Sequence, residues 1–336
     1  MELIKENKVE DKDLLEGLQK LEKFIGNTPL FPFNRLFQKK GVKIYAKLEW
    51  QQFGASVKSR PAYEIVKNAI FTGELNRNKT LLDASSGNTG IAYASICGAL
   101  GIPVTLCIPA NASIERIRNL KSLGVELILT SQFESTDGAQ NKAKELFAAN
   151  PEKYFYADQY GNDSNWKAHY KTTGPEILEQ LGDEKITHFM AGLGTTGTMR
   201  GTGTYLKEQD SKTQIIALHP DSAMHAIEGW KHMETALVPK IYNADQADDN
   251  QDISTEESFA LLKDIAQKEG LLIGPSGAAN LVGAIRLANE IDEGVIAFSK
   301  TYLPSLSNGA FDDPRLDLVI ADGADFMATS TDEFDV

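Results

Sequence analysis

From residue 43 onward, short runs of aliphatic, aromatic and β-branched residues alternate with longer amphipathic runs, several of which end on glycine. The short runs are KIYAKLE (43–49), TLLDA (80–84), VTLCIP (104–109), VELILT (125–130), KYFYAD (153–158), THFMAGL (187–193) and QIIALHP (214–220). Between them lie helix-like stretches over 57–72, GNTGIAYASICGAL, SIERIRNLKSLG and DGAQNKAKELFAAN, then one from about Asn165, one after a Gly/Thr loop, and a long one over about 254–269. Strands alternating with helices of this length predict βαβ units and parallel sheets covered on both faces. The fold expected is therefore α/β and doubly wound. No internal repeat and no long Pro- or Ser-rich linker divides the chain, so two domains would be interleaved. In such sheets ligands bind beyond the carboxyl ends of the strands, which directs attention to the strand-to-helix loops.

Composition narrows the classes. Hydrophobic residues make up 42% and charged residues 24%, as in ordinary globular proteins. A net charge of −13 would repel phosphates over most of the surface, arguing against a nucleic-acid or anionic-membrane partner. Residues 311–336 hold eight acids against Arg315 and read as a solvating acidic end. The longest apolar runs are broken by Gly and Pro, and the N-terminal stretch is charged without the apolar core of a secretory signal. A membrane span is not expected, and cytoplasmic residence is. Cys97 and Cys107 have neither metal-ligand nor redox-pair spacing and read as packing residues.

Four segments can carry chemistry. Lys58 sits in FGASVKSRPAY (53–63), just ahead of a helix-like run. SSGNTG (85–90) joins a strand to a helix, where Ser and Asn can cap the helix and free N–H groups can hold an anion. GLGTTGT (192–198) again joins strand to helix; its glycines permit close backbone approach and its threonines add hydroxyls, as a phosphate site needs. In GPSGAAN (274–280), Ser276 by itself reads as a helix N-cap. The second loop has a rival reading. Gly192, Gly194 and Gly197 match G-x-G-x-x-G after a strand, and Asp221 follows the next strand, as in a nicotinamide-dependent oxidoreductase. A non-catalytic binder of a phosphorylated metabolite is a third possibility.

Taken together, these segments resemble the cysteine synthase and cystathionine β-synthase branch of the pyridoxal-phosphate enzymes that share the tryptophan synthase β-subunit fold. The likeness runs in one order from GNTPL (26–30) to GPSGAANLVGA (274–284). It implies two interleaved α/β domains, residues 50–160 and residues 20–49 plus 161–310, with pyridoxal 5′-phosphate in the cleft between them and 311–336 as a tail. It implies that Lys58 is the Schiff-base lysine, that Asn88 bonds the cofactor's ring oxygen, and that Gly194, Thr195, Thr196, Gly197 and Thr198 hold its phosphate. Ser276 would face the pyridine nitrogen, and Ser85, Ser86, Thr89 and Gln159 would face the substrate carboxylate. Two departures stand out: Ser59 replaces the family's usual acid, and Gly277 its usual second serine. Past about Gly294 the likeness fails.

A desolvated lysine amine is nucleophilic and, once freed, basic. A serine rather than an acid at the ring nitrogen favours loss of a β leaving group over racemisation or transamination. The activity implied is β-replacement, making L-cysteine from an activated serine and sulfide, with cystathionine formation or a dehydratase-type lyase as alternatives and a homodimer as the assembly. In HAIEGWKHMETALVP (225–239), His225, Lys231 and His232 read either as a cationic lip drawing O-phosphoserine or as a solvated lysine among packed histidines.

Overall fold

The computed structural model of the protein describes residues 12–85 and 87–290. The expectations for Ser86 and for 311–336 therefore lie outside the described residues.

The charged N-terminal stretch conceals an amphipathic helix, α1 (Lys12–Glu22), whose Leu14 and Leu18 stand four apart on one face and bury into the first core. Next comes an antiparallel ribbon of β1 (Leu30–Pro32) and β2 (Tyr45–Lys47), with Leu30 opposite Lys47. KIYAKLE is thus a strand but not the first strand of a parallel sheet. Its partner escapes a sequence reading because it is three residues long and ends in proline, which only sheet margins tolerate.

From α2 (Ser59–Phe71) the alternation holds: β3 (Thr80–Ala84), α3 (Asn88–Leu100), β4 (Val104–Pro109), α4 (Ile114–Ser122), β5 (Glu126–Thr130), α5 (Ser135–Ala149) and β6 (Tyr154–Tyr156). These strands form a parallel sheet in the order β5-β4-β3-β6. Its central strands are buried almost throughout, which explains their unbroken apolar sequence.

After α6 (Ser164–Lys171) and α7 (Thr173–Leu181), the elements β7 (His188–Gly192), α8 (Gly197–Gln209), β8 (Gln214–Pro220), β9 (Asp249–Ile253), α9 (Thr255–Glu269) and α10 (Pro275–Glu290) build a second parallel sheet, ordered β7-β8-β9. Strand β9 reads DNQDI and offers no apolar pattern. It is an edge strand held by its ladder to β8, with only Ile253 buried. Among the described residues, no helix is long and apolar enough to cross a membrane. The carboxyl ends of β3 and β7 both open onto one cavity of about 1540 Å³.

Candidate active site

Lys58 stands at the threshold of α2, delivered by a turn in which Gly54 (φ +86°) and Ala55 (φ +53°) are both left-handed. An alanine there is a strained choice of the kind that collects at functional sites. The side chain lines the cavity, and among the described residues no hydrogen bond or ion pair reaches its Nζ. Burial pushes its pKa below the ordinary lysine value, with the charge of Glu49 opposing. The result is a half-buried lysine, without a partner among the described residues, whose pKa is lowered toward its neutral, nucleophilic form.

Across the cavity, the 192–198 loop leads into α8. Thr196 takes a left-handed conformation (φ +73°), costly for a β-branched residue, and its Oγ1 is buried without a partner among the described residues. Thr195 and Thr198 line the cavity beside it, and the first-turn N–H groups of α8 carry the positive end of the helix dipole. Unspent donors at a helix N-terminus suit an anion with several acceptor oxygens. The glycines have a different explanation from the dinucleotide one. A Cβ on Gly192 would fall 1.9 Å from the Trp230 ring, one on Gly194 2.1 Å from the Gly229 carbonyl, and one on Gly197 1.9 Å from Asn165 Oδ1. All three are required by protein packing, so the G-x-G-x-x-G spacing carries no information about a pyrophosphate.

The loop after β3 brings Ser85, Asn88 and Thr89 to the same cavity. Ser85 Oγ accepts from the Gly90 N–H at 3.0 Å, capping α3 and leaving its own proton free to donate. Gln159 is 3% exposed, lines the cavity, and donates from Nε2 to the Ala84 carbonyl at 2.8 Å, with its second amide proton uncommitted. Below this loop, Asp83 accepts from the N–H groups of Ala84 (2.8 Å) and Gln159 (3.3 Å), and burial lifts its carboxyl to about 7.

Ser276 also lines the cavity but is not the N-cap: α10 begins at Pro275, and Ser276 lies in its first turn because the chain enters the helix through the Gly274 carbonyl. Three residues passed over in the sequence reading tie these loops together. Asn280 donates to the Ser276 carbonyl (2.7 Å) and accepts from the Gly192 N–H (2.9 Å). Asn165 donates to the Gln159 carbonyl at 2.7 Å while its oxygen lies against Gly197. His169 stands between Thr173 and Thr198. Each is a polar residue on an otherwise packed helix face, the one sequence signal that could have marked it.

The cationic lip needs correction. Lys231 is 8% exposed and pairs with Asp137 at 3.3 Å over the Tyr160 ring, so it is neither a solvated lysine nor a free charge. Arg116, also on the cavity wall, pairs with Glu228. His225 is held below the ordinary histidine value by burial, with His232 adding to the effect, while its Nδ1 accepts from the Ile227 N–H. Much of the positive charge expected at the mouth is neutralised where it stands.

Comparison with known proteins agrees with this geometry. Residues 21–300 match the family of pyridoxal-phosphate dependent enzymes, and residues 282–336 match the spermine/spermidine synthase domain. The chain is 41% identical to a cysteine synthase of Aquifex aeolicus over 85% of its own length and 89% of that protein. Among solved structures it superposes on a cysteine synthase of Entamoeba histolytica with a TM-score of 0.74 at 30% identity, covering 86% of each chain. It superposes on an O-acetylserine dependent cystathionine β-synthase of Helicobacter pylori with the same TM-score at 32% identity, covering 82% of this chain and 91% of the other. The dinucleotide reading of 192–198 is overturned by this match, which fits a lysine and a helix N-terminus facing one cavity: the chain is a member of the pyridoxal-phosphate dependent enzyme family, in the company of the cysteine synthases.

Proposed function

We propose that the chain makes L-cysteine by β-replacement on an activated serine, with sulfide as the incoming nucleophile. The observation that carries this reading is the Lys58 amine, unpartnered among the described residues, on the wall of a cavity shared with the N-terminus of α8. The residues on the cavity wall fit pyridoxal 5′-phosphate: an amine for its aldehyde, Gly194, Thr195 and Thr198 at the N-terminus of α8 for its phosphate, Asn88 for its ring oxygen, and Ser276 for its ring nitrogen, with Thr196 and Gly197 shaping the loop from behind. When bound, the cofactor supplies an aldehyde that condenses with amines and a conjugated ring that accepts electrons from the substrate α-carbon.

The protein's own work is then binding, orientation and proton movement. Ser85, whose proton is free among the described residues, Thr89 and the second amide proton of Gln159 donate to the substrate carboxylate. Lys58, whose pKa burial lowers, takes the α-proton at Nζ when its amine is neutral. The β leaving group departs, and the thiol enters on the same carbon. Neutralisation of Lys231 by Asp137 and of Arg116 by Glu228 favours a donor whose substituent on the serine oxygen is uncharged, so O-acetylserine is the donor proposed over O-phosphoserine. The cavity, far larger than sulfide requires, supports a second reading in which a bulkier thiol such as homocysteine is the acceptor.

Holoenzyme incubated with O-acetylserine and sulfide should release cysteine faster than it forms cystathionine from O-acetylserine and homocysteine. Faster cystathionine formation would favour the second reading, and no product from O-acetylserine or O-phosphoserine with either thiol would overturn both. We also propose a homodimer working in the cytoplasm. Supporting it are the acidic chain and exposed apolar side chains at Ile114, Leu129 and Phe133, and light scattering on the purified enzyme tests the dimer. The division into residues 50–160 and 20–49 plus 161–310 accords with sheets that fall within 80–156 and 188–253.

A further inference from the structure

Beneath the 192–198 loop, Thr198 is joined in line to two side chains that the proposed mechanism leaves unused. His169 Nδ1 lies 2.9 Å from Thr173 Oγ1, and its Nε2 lies 3.3 Å from Thr198 Oγ1. His169 is 1% exposed and Thr173 3%. Burial drives the imidazole pKa well below its ordinary value, and the charges of Arg60 and Lys58 push the same way. The ring is accordingly neutral, with one nitrogen donating and the other accepting.

Two proton arrangements are available. In the first, Nδ1–H donates to Thr173 and Nε2 accepts from the Thr198 hydroxyl. Thr198 then spends its only proton inward and turns lone pairs toward the cavity, where they would repel an anion. In the second, the Thr173 hydroxyl donates to Nδ1, and Nε2–H donates to Thr198 Oγ1. Thr198 then keeps its proton for the cavity, which it lines. The second arrangement also settles Thr173, whose side-chain hydroxyl has no other hydrogen-bond partner among the described residues.

We propose that His169 is a positioning residue, held as the Nε2–H tautomer, that turns the Thr198 hydroxyl outward as a donor to the cofactor phosphate. The inference rests on the reading of 192–198 as a phosphate loop, so its test separates the two. In the holoenzyme, long-range proton–nitrogen correlation should find His169 protonated at Nε2 and bare at Nδ1; an Nδ1–H ring or an imidazolium would overturn the proposal without any substitution. Equilibrium dialysis then compares the dissociation constant for pyridoxal 5′-phosphate with that for pyridoxal, which lacks the phosphate. His169→Leu should shrink the preference for the phosphorylated form about tenfold, the scale of one hydrogen bond to a charged group. Thr198→Val should do the same, and the double variant should lose little more than either alone. His169→Gln, which retains an amide donor toward Thr198, should recover most of the preference. If Thr198→Val lowers the preference while both His169 variants keep the wild-type value, the relay is wrong and the phosphate loop stands. If no change at Thr195 or Thr198 alters the preference, the phosphate loop is wrong and the relay falls with it.

Discussion

Lys58 and Arg60 stand two residues apart where α2 begins, the first half-buried on the cavity wall and the second fully buried, and their surroundings are opposite. Arg60 is gripped by two carboxylates: Nε and Nη2 donate to Glu49 at 2.7 and 2.8 Å, and Nη1 and Nη2 to Glu176 at 2.7 and 2.8 Å. Thr28 and Thr172 take further bonds at 3.0 and 2.9 Å, so the fork joins the 26–28 turn, the end of the ribbon, α2 and α7. Its pKa rises despite burial, and Glu176 is drawn down to about 2. Lys58 has burial without a carboxylate bonded to it, and its pKa falls. A carboxylate bonded to Nζ would keep that amine protonated and unreactive. The comparison teaches that the acids at this junction serve the anchor and are withheld from the amine that the anchored helix presents.

Removing each member breaks the comparison in a different way. Lys58→Ala should lower turnover by at least roughly 10⁴-fold, the upper end of general-base effects, while the melting temperature holds or rises because no ion pair is lost. A melting temperature several degrees lower would show that Lys58 is structural. Arg60→Met should cost about 3–5 kcal/mol by denaturant titration, since it strands Glu49 and Glu176 together in a dry site.

The acid limb of stability sharpens the same contrast. A carboxylate whose folded pKa lies near 2, below its ordinary 4.5, stabilises the fold fully above 4.5, and that contribution drains away as pH falls toward 2. Glu176→Gln should therefore be less stable at neutral pH and show a flatter loss over that window in pH-dependent unfolding. Gly192→Ala forces a methyl into the Trp230 ring and should cost about 1–3 kcal/mol in unfolding experiments, with weaker cofactor retention because the loop shifts. Lys231→Ala should have the smallest effect: it removes a paired charge, so the Michaelis constants for O-acetylserine and O-phosphoserine should change by less than about threefold, and alike.

How much of this was legible in the sequence depended on whether a residue's partner was local. Strands β3, β4 and β8 matched their apolar runs residue for residue, because buried parallel strands must be apolar. Strand β9 did not, since an edge strand of Asp, Asn and Gln is specified by its neighbour rather than by its own composition. Lys58, the 192–198 loop and Ser276 were readable as motifs, although the glycines turned out to answer to Trp230, Gly229 and Asn165. Asn165, His169 and Asn280 were invisible because they act through contacts made in space. The pairing of Lys231 was invisible for the same reason: its countercharge, Asp137, lies 94 residues away. The loss of resemblance past Gly294 falls within the segment that matches a second family, residues 282–336.

The central claim is that Lys58 is the amine left free to hold the cofactor, and chemical trapping tests it most directly. Borohydride reduction of the holoenzyme followed by peptide mapping should place the pyridoxyl adduct on Lys58 alone, with none on the paired lysines Lys47 and Lys231. An adduct on either of those, or on any other lysine in place of Lys58, would contradict the account.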